Sequence, residues 1–482
     1  MDAFRIAFRI PAVLRDLFAE GALSAALVPT LTRALVTGDK HTAWRVASNM
    51  MGVLLMMSGA IAVAGILLAA PLVNLYAAGF RVVPGKIELT IRLTRLMFPF
   101  LTMIAVAAVL MAMLNALHRF FMPALSPAMF NVATIACAVI VVPMAPRLGI
   151  EPILAIAAGT LLGGLGQAAL QWPALRREGF RYTPVLDLQD PWLREIGRLM
   201  VPGVVGLAAV QINLFVNSWL AAGLGTGAVS WLDYAFRLVY MPIGLFGISI
   251  ATASLPTISA RAATRDDAGI REAVSRGLRL MLMLNLPATV GLVVLASPIV
   301  ALIFEHGRFT PADTAATAVA LACYAPGLVG YSAVKLISPA FYAMGSSRVP
   351  VVATAASVAV NVGLNLVLVQ WLGHRGLALG TSIAALLNAG MLVWMLRARL
   401  GGLELGRLLN ATLKISLASI VMAFAAYYAE RLLHGPFGGH DVFSQAVRVF
   451  GAIGIAMLVL AVSIHFLGVE EFARLRRRAL ST

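Results

Sequence analysis

The sequence predicts an all-α polytopic membrane protein with about thirteen transmembrane helices. Three observations lead there. Of the 482 residues, 60% are apolar and only 12% are charged, whereas soluble domains run near ~45–50% and ~25%. The apolar runs recur from Phe4 to Leu467 rather than gathering in one tail. A set of prolines also repeats at one fixed spacing, which marks an internal duplication. A soluble enzyme lacks the residues for a polar shell here, and a single-span receptor is excluded by the number of runs.

By length and apolarity, helices are expected at 2–32, 45–76, 88–117, 121–145, 152–175, 192–223 and 227–258. Six more follow at 276–304, 312–344, 348–371, 375–397, 407–432 and 443–468. Several exceed the ~20 residues a bilayer requires, so tilts, kinks or protruding ends are expected. Pro11, Pro99, Pro242 and Pro326 lie inside apolar runs, where each frees a carbonyl that neighbouring protein or water must satisfy.

The connections alternate in charge. Arg33, Lys40 and Arg45 follow the first run, and Arg176, Arg177, Arg181, Arg194 and Arg198 flank the fifth connection. Arg261, Arg265, Arg271, Arg276 and Arg279 flank the seventh, Arg397, Arg399 and Arg407 the eleventh, and Arg474, Arg476, Arg477 and Arg478 the tail. Residues 221–230 contain no Lys or Arg. Basic connections stay in the cytoplasm, so odd-numbered connections and the C-terminus are expected there. Arg81 and Lys86 leave the second connection ambiguous. The net charge of +16 is spent on this orientation pattern, which leaves nucleic acid out of the expected partners.

Pro29, Pro71, Pro99 and Pro123 return as Pro256, Pro298, Pro326 and Pro350, each shifted by 227 residues. Their surroundings agree: Leu27-Val28-Pro29-Thr30-Leu31 matches Ser254-Leu255-Pro256-Thr257-Ile258, and Ala70-Pro71-Leu72-Val73 matches Ser297-Pro298-Ile299-Val300. The expected architecture is two parallel six-helix repeats related by an axis along the membrane normal, with a C-terminal helix pair outside the duplication. The lobes are expected at 1–185 (five helices) and 186–402 (six), with the additional pair and basic tail at 403–482. The counterpart of the second copy's opening helix falls ahead of Met1, so the first repeat is expected to lack that helix within this chain.

Charges inside apolar runs carry the functional information, because a charge at mid-bilayer costs roughly 2.5–3.5 kcal/mol even on the lenient insertion scale. Arg15 lies midway along the first run, together with Asp2, Arg5, Arg9, Asp16 and Glu20. Asp233 and Arg237 stand one turn apart in the seventh. Ion pairing explains such residues in structural terms, and the i,i+4 spacing of Asp233 and Arg237 suits it. A cationic cavity for an anionic ligand explains them in functional terms, since the arginine fork matches phosphate oxygens. Lys335 in the ninth run fits snorkelling or pairing. Cys137 and Cys323 sit in apolar runs and suggest no disulfide framework. No HExxH and no GxxxxGK[ST] occurs, so neither a metal centre nor ATP hydrolysis is expected.

The opening stretch, Asp2-Ala-Phe-Arg-Ile-Ala-Phe-Arg-Ile-Pro11 through Leu14-Arg15-Asp-Leu-Phe-Ala-Glu20-Gly to Val28-Pro29, resembles the DAFxxAFRIPNLLRxLFAEGAxSxAFVP motif of the MurJ (MviN) lipid II flippases. That family lies within the multidrug/oligosaccharidyl-lipid/polysaccharide flippase superfamily. Further similar segments are Leu114-Asn115 with Phe121 to Asn131, Val229-Ser230-Trp231 to Arg237-Leu238, and Lys335 to Ala343. The resemblance implies a bacterial inner-membrane, multi-pass transporter rather than an enzyme. Such a protein moves undecaprenyl-pyrophosphate-linked peptidoglycan precursor to the outer leaflet by alternating access.

It further implies Arg15 and Arg237 as substrate-binding arginines. Asp2 and Glu20 follow as coupling or cavity acids; the residues themselves add Asp233, one turn before Arg237, and place Arg9 and Lys335 in a second tier. It implies no cofactor, with membrane potential or an ion gradient as the driving force, and lipid II, membrane lipids and cell-wall synthesis machinery as partners. Phe236 departs from the Asp that some members carry before the arginine. The family's opening helix, with two further cavity arginines, corresponds to the segment that the repeat arithmetic places ahead of Met1. A flippase for another undecaprenyl-linked saccharide, or an inactive scaffolding homologue, would share this pattern. A cation-drug antiporter would instead place acidic groups in its cavity.

Overall fold

Asp39 and Asp266 each start a long helix in the same way, 227 residues apart. The Oδ1 of Asp39 accepts from the Thr42 amide at 2.7 Å, and the Oδ1 of Asp266 accepts from the Gly269 amide at 2.8 Å. The helices they cap, Lys40–Leu67 and Asp267–Val294, end at Leu68 and Leu295, whose amides bond the carbonyls of Ala64 and Gly291. Each capping carboxyl is held below the ordinary carboxylate range, first by the backbone hydrogen bond. A depressed folded-state pKa adds stability above the unfolded value near ~3.9, and that contribution is lost as pH falls through the folded value.

The computed structural model describes residues 1–18, 22–37, 39–439 and 441–473. Glu20 and the tail arginines Arg474, Arg476, Arg477 and Arg478 lie outside those residues. Two units are present, Met1–Val229 and Ser230–Thr482. The first contains α1 (Asp2–Phe18), α2 (Ala22–Thr37), α3 (Lys40–Leu67), α4 (Ala69–Tyr76), α5 (Lys86–Met97), α6 (Pro99–Ala116) and α7 (Phe121–Ala136). A π turn at Cys137–Val141 leads to the short α8 (Val142–Met144), then α9 (Pro152–Arg177) and α10 (Pro191–Ala222). Next, α11 (Ala228–Pro242) crosses the boundary and runs through a π turn at Ile243–Ile248 into α12 (Ser249–Ala263). The second unit continues with α13 (Asp267–Val294), α14 (Ala296–Phe304), α15 (Pro311–Tyr324), α16 (Gly327–Ala343), α17 (Arg348–Leu372) and α18 (His374–Arg399). It closes with α19 (Leu405–His434) and α20 (Val442–Phe466). No strand occurs among the described residues.

The starts of α3, α4 and α7 recur 227 residues later as those of α13, α14 and α17. The expected runs at 45–76, 88–117, 276–304 and 312–344 are each divided, at Leu68, Phe98, Leu295 and Ala325–Pro326. In the run at 2–32 the described residues on either side of 19–21 belong to α1 and α2. Ten helical segments among the described residues are long and apolar enough to cross a membrane, or eleven if α15 and α16, bent by 45°, form one span. A total of thirteen is reached only if 2–37 and α10 also cross. Within 2–37, α1 is 17 residues long and carries Asp2, Arg5, Arg9, Arg15 and Asp16.

In the first unit, α6 is the central element: Phe100, Leu110 and Leu114 pack with Leu23 and Leu27 of α2 and Met50 and Leu54 of α3. α10 packs against α1 and α2 of this unit. In the second unit, Leu278 of α13, Leu336 and Phe341 of α16 and Leu392 of α18 form one core. A second core joins Met283 of α13 to Ala418, Met422 and Ala426 of α19 and Ala456 and Leu460 of α20. Small residues at the α19–α20 contact let the two backbones approach closely. Outward-facing surfaces stay apolar, with Trp371, Trp394, Phe450 and Phe466 exposed, as a lipid solvent requires. Several buried hydroxyls are satisfied within their own helices: Thr30 donates to the Ala26 carbonyl, Thr94 to Thr90 and Ser419 to Ile415.

Gly330 fixes how closely α16 meets α18. A Cβ there would lie 2.6 Å from the Ala385 carbonyl. Gly330→Val should therefore separate the two helices and lower stability by about 1–3 kcal/mol. Thermal unfolding in detergent reads this directly, and an unchanged midpoint would show that the contact yields without strain.

Candidate functional site

Phe8 and Arg15 are seven residues apart on α1 and so share one face of the helix. Phe8 packs on Phe100 of α6 and Phe130 of α7, with ring centroids 5.7 and 6.2 Å away. Arg15 lines a cavity of about 530 Å³ bounded by the same two phenylalanines and by Met111. The polar part of its wall is Ser126, Asn131, Gln167 and Gln171. Gln171 is fully buried, and its Nε2 donates to the Ala107 carbonyl, Ser126 Oγ and the Gln167 carbonyl at 3.2, 3.0 and 3.0 Å.

Arg15 donates from Nε and Nη2 to Asp16 Oδ1 at 2.9 and 2.7 Å. Asp16 Oδ2 in turn accepts from Gln211 of α10 at 3.2 Å. The guanidinium is about one-quarter exposed, with a side-chain value of 23%. A cation in a cavity of mixed apolar and uncharged polar lining, steered by an adjacent carboxylate, is suited to exchange that carboxylate for a phosphate oxygen pair.

The other sequence candidates occupy different surroundings. Asp2 is buried at 4% exposure, where its Oδ2 accepts from Lys86 Nζ at 3.0 Å and from the Gly227 amide at 2.6 Å. The ammonium of Lys86 also lies 4.0 Å above the Phe80 ring. Lys86 thus serves as the counter-charge of Asp2, a part that a reading of connection charges does not show. Arg9 is half-buried on α1. Glu20 lies outside the described residues.

In the second unit, Arg237 Nε donates to Asp233 Oδ2 at 3.0 Å across one turn of α11. The Arg237 side chain is 66% exposed. Phe236, the departure from the family pattern, packs edge-on against Tyr324 and Tyr331 at 5.4 and 5.9 Å. Lys335 is exposed on α16 and makes no ion pair among the described residues. Among the described residues no group of three or more His, Cys, Asp or Glu is arranged to hold a metal ion.

Comparison with known proteins adds relatives to this geometry. The family model described as lipid II flippase MurJ matches residues 1–448. A probable lipid II flippase MurJ of Vibrio cholerae is 35% identical over 398 residues, covering 81% of this chain and 75% of the relative. One of Bdellovibrio bacteriovorus is 33% identical over 480 residues, covering 99% and 90%. Among solved structures, a lipid II flippase MurJ in an inward closed conformation superposes with a TM-score of 0.78 at 24% identity, covering 97% of this chain and 93% of that one. An inward-facing multidrug-resistance MATE transporter of the MOP superfamily gives 0.69 at 18% identity, covering 83% and 90%. At these identities the structural likenesses speak for the fold.

Proposed function

The chain belongs to the lipid II flippase MurJ family, and on that premise we propose that it moves lipid II from the cytoplasmic to the outer leaflet of the bacterial inner membrane. It is a multi-pass transporter rather than an enzyme. The observation that carries the reading to this chain's own residues is Arg15 at the wall of a cavity beside Phe100 and Gln171.

A pyrophosphate-sugar head cannot shed its hydration in hydrocarbon without replacement partners. Arg15 supplies a planar fork that replaces water on the phosphate oxygens with charge-assisted hydrogen bonds. Asp16 holds the fork in its starting orientation and is displaced from it when the anion arrives. Arg237, with Asp233 as its resting partner, is assigned the same chemistry in the second unit. The lipid tail stays in the bilayer, and the apolar pair α19–α20 is assigned to accompany it. Membrane potential or an ion gradient supplies the drive, since each charge moved is worth about 2.3 kcal/mol per 100 mV. Basic connections at Arg176–Arg181 and Arg261–Arg271 support a cytoplasmic C-terminus. Cell-wall synthesis machinery is assigned as the receiving partner because the delivered precursor is consumed at the outer face.

Arg237→Gln should lower lipid II translocation into vesicles by about 10–100-fold, the loss of one hydrogen bond to a charged group. Asp233→Asn provides the comparison. If the arginine acts only through its ion pair, both variants and their double mutant should lose equal activity. If it meets substrate, Arg237→Gln should lose far more than Asp233→Asn.

A further inference from the structure

At the end of the second unit where α14 and α19 finish and α15 and α20 begin, a cavity of about 590 Å³ opens between these four helices. Its floor is apolar, made by Pro298, Ala301 and Val449. Its walls carry both signs of charge: Arg431 and Arg448 against Glu305 and Glu430, with His434 and Thr314 between them. These charges do not neutralise one another. Arg448 Nη1 meets His434 Nδ1, while its Nε is buried without a hydrogen-bond partner. Among the described residues Glu305 Oε2 accepts a hydroxyl, that of Thr314 at 2.5 Å, and forms no ion pair. Glu430 forms no ion pair among the described residues, and Arg431 lies over the Tyr427 ring at 4.6 Å.

A cavity holding unneutralised charges of both signs is complementary to a ligand that is itself zwitterionic. The location narrows the class. All four helices end or begin here, so the cavity lies at the level where apolar spans give way to water. Exposed apolar side chains flank it: Tyr428, Leu432 and Phe443 are 59%, 77% and 71% exposed. Aromatic and apolar residues at that depth meet head groups and the first methylenes of lipid tails. We propose that this cavity binds the phosphoethanolamine head group of a membrane aminophospholipid. Arg448 and Arg431 take the phosphate, Glu305 and Glu430 take the primary ammonium, and the tails run down the apolar surface beside Leu432 and Phe443. The assignment uses neither Arg15 nor Arg237, although it shares α19 and α20 with the tail-accompanying part of the transport reading.

The test uses the purified full chain, delipidated and offered equal amounts of phosphatidylethanolamine, phosphatidylcholine and phosphatidylglycerol, with bound lipid counted by native mass spectrometry. The wild type should retain phosphatidylethanolamine about tenfold over the other two, the discrimination supplied by one charge-assisted hydrogen bond. Arg448→Gln should remove that retention. The double variant Glu305→Gln/Glu430→Gln should abolish the preference over phosphatidylcholine, whose trimethylated nitrogen has no N–H to donate. Arg431→Gln on the rim serves as a second cation test should Arg448→Gln fail to fold. Soluble phosphoethanolamine should not displace the lipid, because it lacks the tails. Equal binding of the three lipids, retention unchanged in the variants, or displacement by the soluble head group would each overturn the proposal.

Discussion

Arg15→Ala is expected to abolish lipid II translocation while the protein still folds and inserts. Its guanidinium makes two hydrogen bonds to Asp16, and in the transport cycle that fork turns to the pyrophosphate. Two hydrogen bonds to a charged partner amount to about 3–6 kcal/mol, or roughly a hundred- to ten-thousand-fold. The substitution is doubly unfavourable for substrate, because Asp16 remains on the same helix, held by Gln211, and presents negative charge toward an anion. Arg15→Lys keeps the charge but loses the fork and should fall between wild type and alanine. Adding Asp16→Asn to Arg15→Ala should recover part of the loss, since it removes the repulsion without restoring the donors. Lipid II exposure in vesicles, normalised to inserted protein, checks the series. Full activity in Arg15→Ala would place substrate binding elsewhere.

The second large effect is structural and concerns Arg279. This residue of α13 is 5% exposed at its side chain. Its Nε donates to Glu471 Oε1 at 2.5 Å, and its Nη1 donates to Glu404 Oε2 at 3.1 Å and Ser275 Oγ at 2.9 Å. Glu404 immediately precedes α19 and Glu471 follows α20, so one side chain ties both ends of the terminal hairpin to α13. Removing one partner of a buried ion pair leaves an uncompensated charge and costs about 3–5 kcal/mol. Arg279→Met leaves the buried Glu471 carboxylate without its cation and should therefore lower the unfolding midpoint strongly and expose the C-terminal segment to protease before the rest unfolds. Arg279→Met combined with Glu404→Gln and Glu471→Gln should be less damaging than Arg279→Met alone, because no buried carboxylate is then orphaned. If the single and triple variants are equally unstable, packing rather than charge sets the contribution of the site.

These two networks were unequally visible in the sequence. Arg15 and Arg237 stand out because they interrupt apolar runs, and the partner of Arg237 is one helical turn away. The Asp2–Lys86 pair spans 84 residues and the Arg279–Glu471 pair 192. Only tertiary packing brings such groups together, and no local pattern announces it. Lys86, ambiguous as a connection charge, is anchored at the buried Asp2. Hydropathy located the helices well but passed over the divisions at Leu68 and Leu295, because both caps are made by leucines inside continuous apolar stretches. The proline spacing did carry that information: Pro71 and Pro298 stand just beyond the two divisions.

Three helix starts that recur at a single offset have a consequence for how this chain has changed since its duplication. Substitutions have rewritten most side chains between the copies, yet insertions and deletions have left no net trace across those starts. One inserted residue rotates everything after it in a helix by about 100°, which turns a lipid-facing side chain into the core. A substitution alters one contact, whereas an insertion misdirects a whole face. Ancestry is thus preserved in this protein as spacing more faithfully than as residue identity, and each copy serves as a natural ruler for the other.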